Sequence, residues 1–122
     1  ESGEKMPVIN YKKSFIDALK IMNQKKLGII IILKNKFING ILTDGDLRRG
    51  INKNKKDKSL ITLIKKNPIT VSENMPAAKA LGIMNEKKIT SLLVVADKDI
   101  GKKNKKLKGV IHIHKLLQNG IK

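Results

Sequence analysis

One segment of this chain is written twice. Ala18-Leu19-Lys20-Ile21-Met22-Asn23-Gln24-Lys25-Lys26 aligns with Ala80-Leu81-Gly82-Ile83-Met84-Asn85-Glu86-Lys87-Lys88. Further on, Gly40-Ile41-Leu42 aligns with Gly109-Val110-Ile111, displaced by a longer second hairpin. Self-similarity of this kind means two copies of one small supersecondary unit, each with too little apolar surface to stand alone. The expected fold is two copies packed through their sheets with pseudo-two-fold symmetry. That symmetry would create two equivalent clefts between the copies, at strand ends beside helix N-termini, where ligands sit in mixed α/β folds.

Local patterning predicts strand-helix-strand-strand-helix in each copy, an α+β chain with a first copy over 1–58 and a second over 59–122. In the first copy, residues 6–9 are a short extended piece. Ser14 caps a helix to about Lys25 with Phe15, Ala18, Leu19 and Met22 on one face, and Gly28 ends it. The run 29–33 is continuously apolar, as a strand covered on both faces would be. A turn at 34–36 leads to a return strand over 37–42 and a helix over 44–51. A lysine-rich linker over 52–58 and a short helix over 59–66, stopped by Asn67-Pro68, come next. The second copy is expected as a strand over 68–71, a helix over 76–87, a strand over 91–96, a polar loop over 97–106, a strand over 107–113 and a helix over 114–118 closed by Gly120.

The formal net charge of +17 raises nucleic acid as a partner. Against it, Arg48 and Arg49 are the only arginines, there is no Trp, and Tyr11, Phe15 and Phe37 are the only other aromatics besides histidine. Nucleic-acid readers rely on arginine forks and aromatic stacking. Lysine, isoleucine and asparagine are abundant together, which reads as compositional drift and a solvated lysine surface. Cysteine is absent, so disulfide and thiolate chemistry are excluded. The longest apolar run is far too short for a bilayer and no signal peptide is visible, so a cytoplasmic protein, or a fragment of one, is expected.

The stretch with chemistry in it is Gly40-Ile41-Leu42-Thr43-Asp44-Gly45-Asp46-Leu47-Arg48-Arg49, a buried strand running straight into a helix. Thr43 is a good N-cap and Asp46, three residues on, can reach back to the cap's backbone N–H. Asp44 and Asp46 also suit the positive end of the helix dipole. A stabilised helix start explains these residues. So does a cleft in which Thr43 and Asp46 hydrogen-bond a ligand while Arg48 or Arg49 reaches its phosphate.

A tandem βαββα unit with Gly-x-x-Thr-x-x-Asp at the last strand-to-helix corner resembles a pair of CBS domains, a Bateman module. It is similar in particular to the C-terminal CBS pair of bacterial arabinose-5-phosphate isomerases. Gly40 to Arg49, Lys88-Ile89-Thr90-Ser91 and Gly109-Val110-Ile111-His112-Ile113-His114-Lys115-Leu116-Leu117 carry the resemblance. Similar Thr-Asp-Gly-Asp-Leu-Arg-Arg segments precede some sugar nucleotidyltransferases, whereas the His-Ile-His-x-Leu-Leu ending favours the isomerase. The resemblance implies a non-catalytic regulatory module behind an N-terminal isomerase domain, absent from this chain, that interconverts ribulose 5-phosphate and arabinose 5-phosphate for Kdo and lipopolysaccharide synthesis. It implies no required cofactor, an adenosine nucleotide (AMP or ATP) or the nucleotide sugar CMP-Kdo as ligand in the cleft, and association into a dimer of pairs.

Carried onto this sequence, Thr43 and Asp46 are the ribose-binding candidates, with Asp44, Arg48 and Arg49 beside them. In the second copy the matching positions are His112 and Lys115. Lysine cannot accept a hydrogen bond, so this second site is either dead or turned to a phosphate or carboxylate. Lys88, Thr90, Ser91 and His114 complete the candidate ligand contacts. His112 and His114 are spaced to share a strand face, but with no other histidine or cysteine a metal site is the weaker reading. No nucleophile-base set can be assembled. The rival functions are a purely architectural oligomerisation module and a lysine-driven nucleic-acid binder.

Overall fold

The computed structural model describes residues 6–25, 28–52, 64–118 and 120. The chain divides into two compact units, Pro7–Pro68 and Ile69–Lys122. The first unit runs β1 (Val8–Asn10), α1 (Phe15–Lys25), β2 (Ile29–Lys34), β3 (Phe37–Thr43) and α2 (Asp44–Asn52). The second repeats it as β4 (Thr70–Ser72), α3 (Ala77–Lys87), β5 (Ser91–Val95), β6 (Leu107–His112) and α4 (Ile113–Gln118). Each unit holds one three-stranded sheet, ordered β1-β2-β3 and β4-β5-β6. In both, the first pair is parallel and the second antiparallel. The fold is α+β.

The two sheets agree in register as well as in order. Val8 pairs with Ile31 and Thr70 with Leu93. Ile29 pairs with Thr43, and Ser91 with His112. Each hairpin carries its irregularity at the same place, Ile32/Leu33 in one and Val94/Val95 in the other. The cores match too. In the first unit Ile9, Ala18, Met22 and Ile30 are buried together with Phe15, Ile32, Leu42 and Leu47. Their counterparts Val71, Ala80, Met84 and Leu92 form the core of the second. Ile29, Ile30, Ile31 and Ile32 are all buried, so alternate residues on both faces of β2 are removed from water, as its unbroken apolar run requires.

Departures from the sequence expectation sit where contacts are non-local. Asn52, expected to open the linker, instead ends α2. The rest of the linker, most of the helix expected over 59–66 and the terminal segment 1–5 lie outside the described residues. Ile64 and Lys65, which are described, are not helical. Lys65 forms an antiparallel bridge with Ile41, exchanging both backbone hydrogen bonds at 2.9 and 3.0 Å. The outer edge of β3 supplies free backbone groups, and satisfying them outweighs one more turn of helix ahead of Asn67 and Pro68. Gly40 makes the approach possible. A Cβ there would sit 2.6 Å from the Lys65 carbonyl oxygen and overlap Ile64, which packs on the first core. The expected polar loop over 97–106 contains a 3-10 turn at Asp97–Asp99. Asp99 is buried there, accepting from the Lys106 N–H at 3.4 Å and facing Lys102 at 3.7 Å.

Candidate functional site

β3 passes into α2 without a loop, Thr43 ending one and Asp44 starting the other. Thr43 Oγ1 accepts from the Asp46 N–H at 3.2 Å, and Asp46 Oδ2 accepts from the Thr43 N–H at 2.8 Å. This is a complete capping box. The same unit contains a second one. Ser14 and Asp17 bond reciprocally at the start of α1, at 3.1 and 3.2 Å. The Ser/Thr-x-x-Asp spacing therefore describes a cap in both places, and only the surroundings separate them.

Those surroundings differ sharply. Asp46 is 7% exposed. Its Oδ1 accepts from Arg49 Nη2 at 2.6 Å and lies 3.5 Å from Lys65 Nζ. Burial pushes the carboxyl pKa up. The hydrogen bonds of Thr43, then Arg49, then the Lys65 charge outweigh burial and hold it below 3.8, so Asp46 is an anion at neutral pH. Asp44 forms an ion pair with Arg48, one turn along the exposed face of α2. Each arginine thus has its own carboxylate. The corner presents an ionised acceptor at a helix N-terminus with two cations on it and Arg48 paired to Asp44 beside it, a combination suited to hydroxyl groups on one side and an anion on the other.

The second corner keeps the geometry and changes the chemistry. The Ile113 N–H donates to the Thr90 carbonyl at 2.8 Å, as Asp44 donates to Gly28 at 3.1 Å. His112 therefore stands where Thr43 stands, and Lys115 where Asp46 stands. His112 Nδ1 accepts from the His114 N–H at 3.2 Å, a cap made by an imidazole, which places the ring proton on Nε2. Burial first, then the neighbouring His114, hold the His112 pKa below 6.5. The two histidines do not share a strand face as the spacing suggested. β6 ends at His112 and His114 belongs to α4, so the rings meet across the junction at 4.9 Å. No group of three metal-ligating side chains occurs among the described residues.

The remaining candidates divide by unit. Thr90 is exposed, and Ser91, opposite His112 in the sheet, has a buried hydroxyl without a hydrogen-bond partner among the described residues. Lys88 is the left-handed C-cap of α3, its N–H bonded to the Met84 carbonyl. Lys115 is exposed and brings no acceptor. The first unit holds Thr43, Asp44, Asp46, Arg48 and Arg49, with Lys65 added by the structure. Sequence reasoning passed over Lys65 because its approach depends on a bridge 24 residues away in the chain. The available signal was Gly40, a glycine inside a strand, which marks close backbone approach.

Comparison with known proteins supplies the family. The CBS domain pattern matches residues 4–53 and again 60–121. Arabinose 5-phosphate isomerase KdsD of Yersinia pestis is 36% identical over 125 residues, covering 98% of this chain and 35% of that protein. The chain therefore spans about a third of the length of the curated relatives it matches. Among solved structures, CBSX2 in complex with AMP superposes with a TM-score of 0.81 at 21% identity, covering 97% of this chain and 89% of that one. The CBS domain pair of protein MJ0100, in complex with 5-methylthioadenosine and S-adenosyl-L-methionine, gives 0.79 at 19% identity, covering 97% and 90%. Two matched repeats, two sheets of one register and one capped corner in each make this chain a tandem pair of the CBS domain family, homologous to the CBS region of KdsD arabinose 5-phosphate isomerases.

Proposed function

We propose that this CBS pair is the non-catalytic sensory part of a cytoplasmic arabinose-5-phosphate isomerase and that its first corner binds the ribose of a nucleotide. The parent reaction would interconvert ribulose 5-phosphate and arabinose 5-phosphate for Kdo and lipopolysaccharide synthesis. The observation that carries the reading is Asp46: it is buried and paired directly with Arg49 and Lys65, whereas Asp17, also an anion, caps α1 in a more open setting. An anion with unused lone pairs accepts from a vicinal diol, Thr43 contributes its hydroxyl, and Arg48 or Arg49 reaches the phosphate. The ligand is an adenosine nucleotide, the class that CBSX2 binds as AMP, or the pathway's end product CMP-Kdo. Binding can bias the attached isomerase only by as much as its affinity differs between the two states of the module.

Thermal denaturation with AMP, ATP, CMP and CMP-Kdo tests this. A specific ligand at a hundred times its Kd adds about 2.7 kcal/mol, and Asp46→Ala removes the gain. No shift with any of the four defeats the proposal. A second reading, an oligomerisation module that binds nothing, is favoured by Ile16, Ile51 and Leu117 standing exposed on α1, α2 and α4. Sedimentation of the whole chain at several concentrations tests it.

A further inference from the structure

Five charged side chains meet at the first corner, and four of them are already matched. Arg48 pairs with Asp44 and Arg49 with Asp46, each arginine one turn beyond its acid. Lys65 is the fifth. Its ammonium shares Asp46 Oδ1 with Arg49, lies farther away, and has no second carboxylate within 4 Å among the described residues. It is also the one cation of the group that comes from outside α2. The two backbone hydrogen bonds to Ile41 fix its Cα, Gly40 leaves the room, and Ile64 anchors the segment in the core.

We infer that Lys65 is a ligand-selecting residue: it gives the corner its net positive charge and makes it prefer a phosphate-bearing ribose to a neutral or cationic one. This rests on the ribose reading of Asp46 proposed above. When a diol takes up Asp46, the lysine loses part of its partner and turns to the nearest anion, the ligand's phosphate. Arg49 stays engaged, because its contact is shorter and charge-assisted. Lys65 makes no use of the sugar, so it acts on selectivity rather than on diol recognition. A dianionic nucleotide gains from it, a neutral nucleoside gains nothing, and a sulfonium-bearing nucleoside is repelled.

The test uses the whole 122-residue chain and measures Kd for AMP, 5-methylthioadenosine and S-adenosylmethionine by calorimetry. Wild type is expected to bind them in that order. Lys65→Gln should weaken AMP about three- to fivefold, the range of one partly exposed ion pair, and leave methylthioadenosine unchanged. Lys65→Arg should keep the preference, and Lys66→Gln, next door but turned toward Asn39, should keep it too. Gly40→Ala, which displaces the bridge without altering charge, should reproduce Lys65→Gln. Raising the salt should erode the AMP advantage in wild type and not in Lys65→Gln. An unchanged AMP-to-methylthioadenosine ratio in Lys65→Gln, or an equal loss in Lys66→Gln, overturns the role of Lys65 while leaving the ribose site standing. Failure of AMP to bind in any Asp46-dependent way overturns both.

Discussion

The β3–α2 corner and the β6–α4 corner occupy the same register of the same small fold, yet one is built around a buried anion and the other around an imidazole and a lysine. Both satisfy the first backbone donors of the following helix, so both do the structural task. They part in what is left over. Thr43 and Asp46 leave acceptor capacity under a cluster of cations, whereas His112 spends its one acceptor on His114 and Lys115 has none to offer. A cap is therefore compatible with very different residues, and ligand chemistry is the stricter demand.

The comparison breaks most visibly at the acid. Asp46→Ala should destabilise the ligand-free chain by about 1–3 kcal/mol, since it strips a charge-assisted bond from Arg49 and an acceptor from the Thr43 N–H. Lys115→Ala should stay within about 0.5 kcal/mol, as an exposed side chain with no acceptor role. Equal losses in paired thermal melts would mean that the two corners are energetically alike after all.

Acid sharpens the contrast next. The folded state keeps His112 below its ordinary pKa, so it favours the neutral ring. Its stabilising effect is complete above 6.5 and is lost as pH falls through the lowered folded value. Asp46 is depressed from 3.8, so its contribution persists at those pH values and is lost only as pH drops below 3.8. Between pH 7 and 5, hydrogen-exchange protection factors, which correct for the intrinsic slowing of exchange in acid, should fall around β6 and α4 before they change around β3 and α2. His112→Thr should flatten that response. The smallest effect belongs to the helices: Gly82 in α3 is exposed with nothing within 4 Å of a would-be Cβ, so Gly82→Ala should stabilise by about 0.5–1 kcal/mol. The matching position of α1 already carries Lys20.

What could be read from the sequence was whatever is decided locally. The repeated Ala-Leu-x-Ile-Met helices, the all-isoleucine strand and the Thr43–Asp46 spacing each carry their periodicity or cap within a few residues. The equivalence of Thr43 with His112 also followed from aligning Gly40 with Gly109, and the register bears it out. The Lys65 bridge was hidden because the sequence reads as helix up to Asn67-Pro68, and only the free edge of β3 makes an extended Ile64-Lys65 preferable. The cations around Asp46 were half legible: Arg49 is one turn away, Lys65 is a tertiary neighbour. Ile113 was misplaced because alternation predicts one more strand residue than the hydrogen bonds allow, and the strand face expected for His112 and His114 goes with it.

β2 has a consequence for the chain when it is not folded. Ile29 to Leu33 is five aliphatic residues without a charge, a strand that in the open protein could stack against copies of itself as a cross-β fibril. Lys25 and Lys26 precede it, and Lys34 and Lys36 follow. Such flanking lysines are gatekeepers, since in-register stacking would pile like charges at both ends of the segment. The lysine surplus thus keeps nascent and transiently opened chains apart, in a state where no ligand site exists.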